Sequence, residues 1–201
     1  IKAAPGGGLI DHRGPTTNLL GIIVSNGSFG VETSSTNLGG YVLVKAGAEL
    51  QGAGTLSQTA TVYLAGGRLG NRASGMMWNG PIVLLSNSTF AGNNLYDGNV
   101  GQMHINGGVT GNFTLSVYGA TRYIYFQSSN MAPKTIVQNN PGDTGASLRY
   151  TNGYAIHNQL ELGDFTEVGD AKLYMESGHQ FAPGVILSNR TLWNDWGYFI
   201  M

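Results

Sequence analysis

Apolar runs of three or four residues recur along this chain at a nearly constant step. "GIIV" (Gly21 to Val24), "YVLV" (Tyr41 to Val44), "TVYL" (Thr61 to Leu64), "PIVLL" (Pro81 to Leu85), "QMHI" (Gln102 to Ile105) and "YIYF" (Tyr123 to Phe126) stand about 20 to 21 residues apart. A second element begins five or six residues after the start of the first, beside glycine: "GAELQG" (Gly47 to Gly52), "GGRLG" (Gly66 to Gly70), "NSTFAG" (Asn87 to Gly92) and "GGVTG" (Gly107 to Gly111). A unit this short cannot bury an apolar face alone. Stacked on copies of itself it can, and a fixed step places like beside like.

The elements read as strands. No i, i+3, i+4 apolar pattern is sustained, while Val, Ile, Thr and Tyr alternate with polar residues over three to six positions. Glycine, at 32 of 201 residues, is about twice its usual share, so bends must be frequent. We therefore expect an all-β chain forming one right-handed parallel β-helix, or β-solenoid, over residues 1–201, with coils of about 20–25 residues. From Thr135 onward, "TIV", "SLRY", "QLEL", "KLYM", "GVIL" and "GYFI" follow at about 12 residues, so paired strands give a step near 24 and a change of coil length near 130–135. An antiparallel sandwich or barrel also has short, closely spaced strands. It has no reason to repeat a two-element unit at a fixed step.

Bends in such a solenoid call for positive φ, which glycine adopts without strain. Gly47, Gly67 and Gly108 are the expected turn glycines, and Asn26-Gly27, Asn79-Gly80, Asn106-Gly107 and Asn152-Gly153 the expected corner pairs. In "GGYVLVKAGAELQGAGTLS" (Gly39 to Ser57), either Val42 and Val44 or Leu43 points inward, and Leu50 fills the next wall.

Charge excludes some function classes. Charged residues make up 10% of the chain and the formal charge is −1, with no basic stripe, so nucleic acid is not an expected partner. No apolar run approaches the length of a membrane span. Without cysteine there is no disulfide and no thiol chemistry. Ile1 in place of an initiator leads us to expect a processed or partial product.

Candidate chemistry is sparse, and no cofactor is expected. "GDFTEVGD" holds the densest acidic set, Asp164, Glu167 and Asp170, a weak calcium candidate because neither EF-hand nor nonapeptide spacing accompanies it. "DHRG" (Asp11 to Gly14) sets an acid, an imidazole and a guanidinium side by side, where an ion pair between Asp11 and Arg13 is the plainer reading. His104, His157 and His179 lack zinc-site spacing and read as surface or ladder residues. Four N-x-[ST] sequons, at Asn26, Asn87, Asn112 and Asn189, are close to the number chance would give. Aromatic residues gather in "YIYF" and in "LWNDWGYFI" (Leu192 to Ile200). Of the latter, Trp193, Trp196, Tyr198, Phe199 and Ile200 are the expected self-association residues, since an apolar end strand without a cap invites pairing.

Residues Gly39 to about Gly119 resemble the passenger β-helices of bacterial autotransporters, in particular their autotransporter-associated β-strand repeats. The resemblance rests on the Gly47 to Leu56 segment, on "WNGPIVLLSNSTFAGN" (Trp78 to Asn93) and on "INGGVTGNFTLSVYG" (Ile105 to Gly119). The family's "G-A-N-T-Y-T-G" segment is absent. The resemblance implies export, a rod-like shape and a role in surface display, adhesion or matrix, with no catalytic residues. We therefore expect a non-enzymatic, extracellular or cell-surface structural or adhesive protein that forms homo-oligomers or homopolymers, with polysaccharide or a cell surface as a further partner. The alternatives are a carbohydrate-active β-helix enzyme or sugar-binding module, and a phage fibre fragment.

Overall fold

A computed structural model describes residues 9–12, 20–32, 38–52, 57–72, 75–93, 101–119, 123–139, 145–150, 155–157, 159–162, 170–175, 179–181, 183 and 187–188. Every regular element among them is a strand, and every pairing between strands is parallel. The chain is a parallel β-solenoid, and its path visits three walls in turn.

Strand β1 (Leu9–His12) enters on the second wall. The first coil continues through β2 (Ile22–Val24) on wall one and β3 (Gly27–Val31) on wall two. The next passes through β4 (Tyr41–Lys45), β5 (Ala48–Gly52) and β6 (Ser57–Gln58) on walls one, two and three. Then come β7 (Thr61–Ala65), β8 (Arg68–Asn71) and β9 (Met76–Trp78), followed by β10 (Ile82–Leu84), β11 (Ser88–Ala91) and β12 (Met103–Ile105). Further on lie β13 (Val109–Thr110), β14 (Thr114–Gly119) and β15 (Tyr123–Phe126), then β16 (Lys134–Asn139) and β17 (Gly145–Tyr150). The last strands are β18 (Ala155–His157), β19 (Gln159–Leu162), β20 (Asp170–Met175), β21 (His179–Phe181) and β22 (Leu187–Ser188). Wall one has five strands, wall two nine and wall three six, while β18 and β21 pair separately.

Register explains the core. Ile22, Val42, Val62, Ile82 and Val109 occupy one column of wall one, and Val24, Val44, Leu64 and Leu84 the next. All are buried. Val42 and Val44 therefore point inward and Leu43 outward, because side chains alternate along a strand. On wall two, Phe29, Leu50, Leu69, Phe90, Val117 and Val137 make a single inward column. Wall three adds Met76, Met103 and Ile124, with Trp78, Ile105 and Phe126 beside them. Phe90 and Phe126 stack across the interior at 5.9 Å. Each buried aliphatic or aromatic side chain contributes about 1.5–3 kcal/mol, and the register sets each beside its counterpart in the adjoining coil.

Two assignments made from spacing change. "QMHI" and "YIYF" do not continue the column of "PIVLL"; Met103–Ile105 pairs with Met76–Trp78 on wall three, and Ile124–Phe126 pairs in turn with Met103–Ile105. "GGVTG" is not the counterpart of "GGRLG" and pairs instead with Ile82 and Val83 on wall one. The cause is one long coil. Ile22 to Val42, Val42 to Val62 and Val62 to Ile82 are steps of 20, whereas Ile82 to Val109 is a step of 27. The extra length lies between β11 and β12, so strands of different walls fall by coincidence near the original rhythm. Later coils are again longer than the first ones, as in Ile124 to Leu148 and Leu148 to Leu173.

The corners also differ from expectation. Gly27, Gly47 and Gly66 turn the chain from wall one to wall two with φ of 68°, 74° and 81°, and Gly108 precedes β13 at 80°. Gly67 is the neighbour of the turn residue: a Cβ there would lie 2.6 Å from Cγ1 of Val44. Gly80 and Gly107 are likewise not positive-φ residues. A Cβ on Gly107 would sit 2.0 Å from the Gly80 carbonyl oxygen, and one on Gly80 2.2 Å from that of Ala60. Those corners need glycine because backbone stacks on backbone.

Candidate interaction surfaces and a buried ion pair

Outward residues define what the solenoid can present. On wall two, Glu49 stands on the outer side of β5, opposite the inward Leu50, yet it is fully buried. Its Oε1 accepts from Nε of Arg68 at 3.0 Å, and its Oε2 accepts from the Ser28 hydroxyl at 3.0 Å. Arg68 also donates to the backbone oxygen of Asn93 at 3.0 Å and to the Asn93 side chain. Ser28, Glu49 and Arg68 are register partners on three successive coils, so the backbone ladder itself holds them in line. The Glu49 carboxylate lies over Gly70, where a Cβ would be 2.1 Å from Oε1. Beside it Gln51 is buried, and neither of its amide atoms has a partner among the described residues. A carboxylate removed from solvent and held by two donors acts as a brace between coils, not as an acid or base offered to a substrate.

Wall three carries an outward column of Ser57, Met77, His104 and Tyr125, with Arg149 and Tyr174 at the same register positions further on. The rings of His104 and Tyr125 stack at 4.6 Å and 5°. Half-burial lowers the His104 pKa from its usual value, because desolvation disfavours the imidazolium. Stacking along the coil axis uses the ring faces on each other, so this pair offers edges rather than a platform to a flat ligand.

Wall one is different: its outward column is Ile23, Leu43, Tyr63, Val83 and Thr110. Ile23 is 42% exposed, and Tyr41, which meets Tyr63 edge-on at 6.1 Å, is 39% exposed. Leu85, near the end of this wall, is also exposed. This strip is largely apolar, with Lys45 exposed at the end of β4.

A polar ladder runs along the corner between walls three and one. Nδ2 of Asn106 donates to Oδ1 of Asn79 at 2.7 Å, and Nδ2 of Asn79 donates to the Ser57 hydroxyl. The Gly80 and Gly107 amides donate to the carbonyls of Gln58 and Trp78 in the coil before.

The chain matches no known protein family, no curated protein and no solved structure.

Several residues singled out in the sequence fall outside the described ones: Asp164, Glu167, Arg13, Asn189, and Trp193, Trp196, Tyr198, Phe199 and Ile200. Asp170 opens β20 in register with Gly145, and Asp11 pairs with Gly30. Among the described residues, no three His, Asp or Glu side chains gather to hold a metal ion, and no helix is long and apolar enough to cross a membrane. The Glu49–Arg68 pair went unnoticed in the sequence, although a Glu and an Arg 19 positions apart in a chain repeating near 20 is a usable signal.

Proposed function

We propose that the chain is a non-enzymatic structural or adhesive component of an extracellular or cell-surface layer, a β-solenoid rod that joins further copies of itself end to end. The observation that carries this reading is the uniform strand direction. Among the described residues, walls one, two and three begin at β2, β1 and β6, and walls two and three end at β22 and β20, while wall one continues past β13 into residues 129–131, where the Val109 amide donates to the Ser129 carbonyl at 3.0 Å and the Met131 amide to that of Val109 at 2.9 Å. Where all strands are parallel, the free edge at one end has the hydrogen-bonding pattern that the edge at the other end needs, and repeating that heterologous contact gives an open fibre. The net charge of −1 opposes such contact little. The likeness of Gly39 to Gly119 to autotransporter β-strand repeats favours an exported setting. Concentration-dependent sedimentation with negative-stain microscopy tests the proposal. Rods that lengthen with concentration are expected, and a Leu9→Lys/Leu20→Lys variant, which puts charge beside the β1 and β2 edges, should shorten them. A chain that stays monomeric at high concentration overturns the reading.

A further inference from the structure

Asn26, Asn87 and Asn112, the three described sequon asparagines, all lie on one line of the molecule, the corner between walls one and two. Their surroundings are not alike. Asn26 is exposed, but its Oδ1 accepts from the Gly27 amide at 2.9 Å, Gly27 is fixed at a φ of 68°, and the Ser28 hydroxyl is buried on Glu49. Asn87 has its Oδ1 taken by the Thr114 amide at 3.0 Å, and the intervening Ser88 is buried, with its hydroxyl donating to the carbonyls of Ser86 and Leu64. Asn112 and Phe113 instead form an exposed bend ahead of β14, after Gly111 at a φ of 115°, with Thr114 half-buried at the start of the strand. A transferase must grip the sequon in extended form and reach both the amide and the hydroxyl two residues on. Of the three described sequons, 112–114 comes closest to that: Asn112 and Phe113 are exposed, and the tie to the coils falls on Thr114, whose amide donates to Oδ1 of Asn87 and which pairs with Lys134 at the start of β14.

We propose that Asn112 is a glycosylation acceptor of the folded solenoid. In the transfer, the Asn112 amide nitrogen attacks C1 of a hexose activated on a nucleotide or lipid diphosphate. The N–C1 bond forms, the C1–O bond breaks, the diphosphate leaves with the electron pair, and one amide proton passes to a base of the transferase. Nothing is oxidised or reduced. Phe113, the residue between Asn112 and Thr114, is 39% exposed and so leaves the middle of the sequon open to an enzyme. The modified residue projects from a corner, clear of the strand edges and of the columns that stack.

The test is incubation of the folded full chain with a soluble sequon-specific asparagine glucosyltransferase and UDP-glucose, mapped by peptide mass spectrometry. Synthetic peptides spanning the Asn26 and Asn112 sequons serve as the unfolded reference. One hexose at Asn112 is expected, with Asn26 slower by about tenfold or more because its modification waits on local opening, while the two peptides react at similar rates. Asn112→Gln should remove the mark and leave the melting curve unchanged. The proposal is overturned if Asn112 stays unmodified in the folded chain, if its peptide is refused, or if Asn26 is modified as fast as Asn112.

Discussion

Nε of Arg68 lies 3.0 Å from Oε1 of Glu49, one coil away on the outer side of wall two, and Glu49 is wholly buried there. Removing one partner of a buried pair leaves an uncompensated charge, which is more damaging than losing both. Arg68→Met should therefore lower stability by about 3–5 kcal/mol, read as a shift of the urea midpoint. The double variant Glu49→Gln/Arg68→Met should recover most of the loss. If the double variant is as unstable as the single one, the pair matters for shape rather than for charge.

Glycines divide into those needed for conformation and those needed for space. Gly47 has a φ of 74° and open space where a Cβ would go, so Gly47→Ala should cost about 1–2 kcal/mol and Gly47→Asn less, since Asn tolerates the left-handed region. Gly107 has ordinary φ but a carbonyl oxygen 2.0 Å from its would-be Cβ, so both Gly107→Ala and Gly107→Asn should cost about 3 kcal/mol or more. Thermal or urea unfolding of the four variants checks the ranking, and rescue of position 107 by Asn would contradict it.

His104 supplies a pH dependence with a definite sign. Its folded pKa is lowered, so near the unfolded value the unfolded chain binds more protons, and stability rises with pH. The contribution is complete above about pH 6.5 and is lost as pH falls through the lower, folded value. His104→Phe keeps a ring against Tyr125 without the titration. Its melting temperature should fall less than that of the parent between about pH 7 and pH 5, and superimposable profiles would remove His104 as the source.

The first two walls were legible because their strands alternate cleanly: Val42 and Val44, then Val62 and Leu64, recur at 20 residues with polar or outward neighbours between. Wall three was hidden because β6 and β9 are two and three residues long, too short for alternation to register. The long coil then brought Met103–Ile105 close to the old rhythm although its partners are Met76–Trp78. Asn26-Gly27, Asn79-Gly80 and Asn106-Gly107 lie at corners, with Asn152-Gly153 outside the described residues, but a sequence does not distinguish a glycine required by φ from one required by a backbone lying directly above it. Gly27 is the first kind, Gly80 and Gly107 the second. The Glu49–Arg68 brace was missed because charges were sought in local clusters, whereas parallel register brings together residues one coil apart.

The corner ladder gives a chemical prediction. Deamidation at Asn-Gly proceeds by attack of the glycine nitrogen on the asparagine side-chain carbonyl, which needs that nitrogen free and the backbone able to twist. At Asn79-Gly80 and Asn106-Gly107 the glycine amides are bonded to the carbonyls of Gln58 and Trp78, at 3.1 Å and 3.0 Å, and the side chains are bonded to each other. Folding should therefore slow deamidation at both sites by about tenfold or more relative to the chain in urea, since reaction requires local opening of the coil. Peptide mass spectrometry after incubation at mildly alkaline pH measures both rates. Asn106→Asp, which sets a carboxylate oxygen against Oδ1 of Asn79, should in addition lower stability by about 1 kcal/mol. Equal deamidation rates in the folded and unfolded chain would show that this corner opens freely and that the ladder does not hold successive coils together.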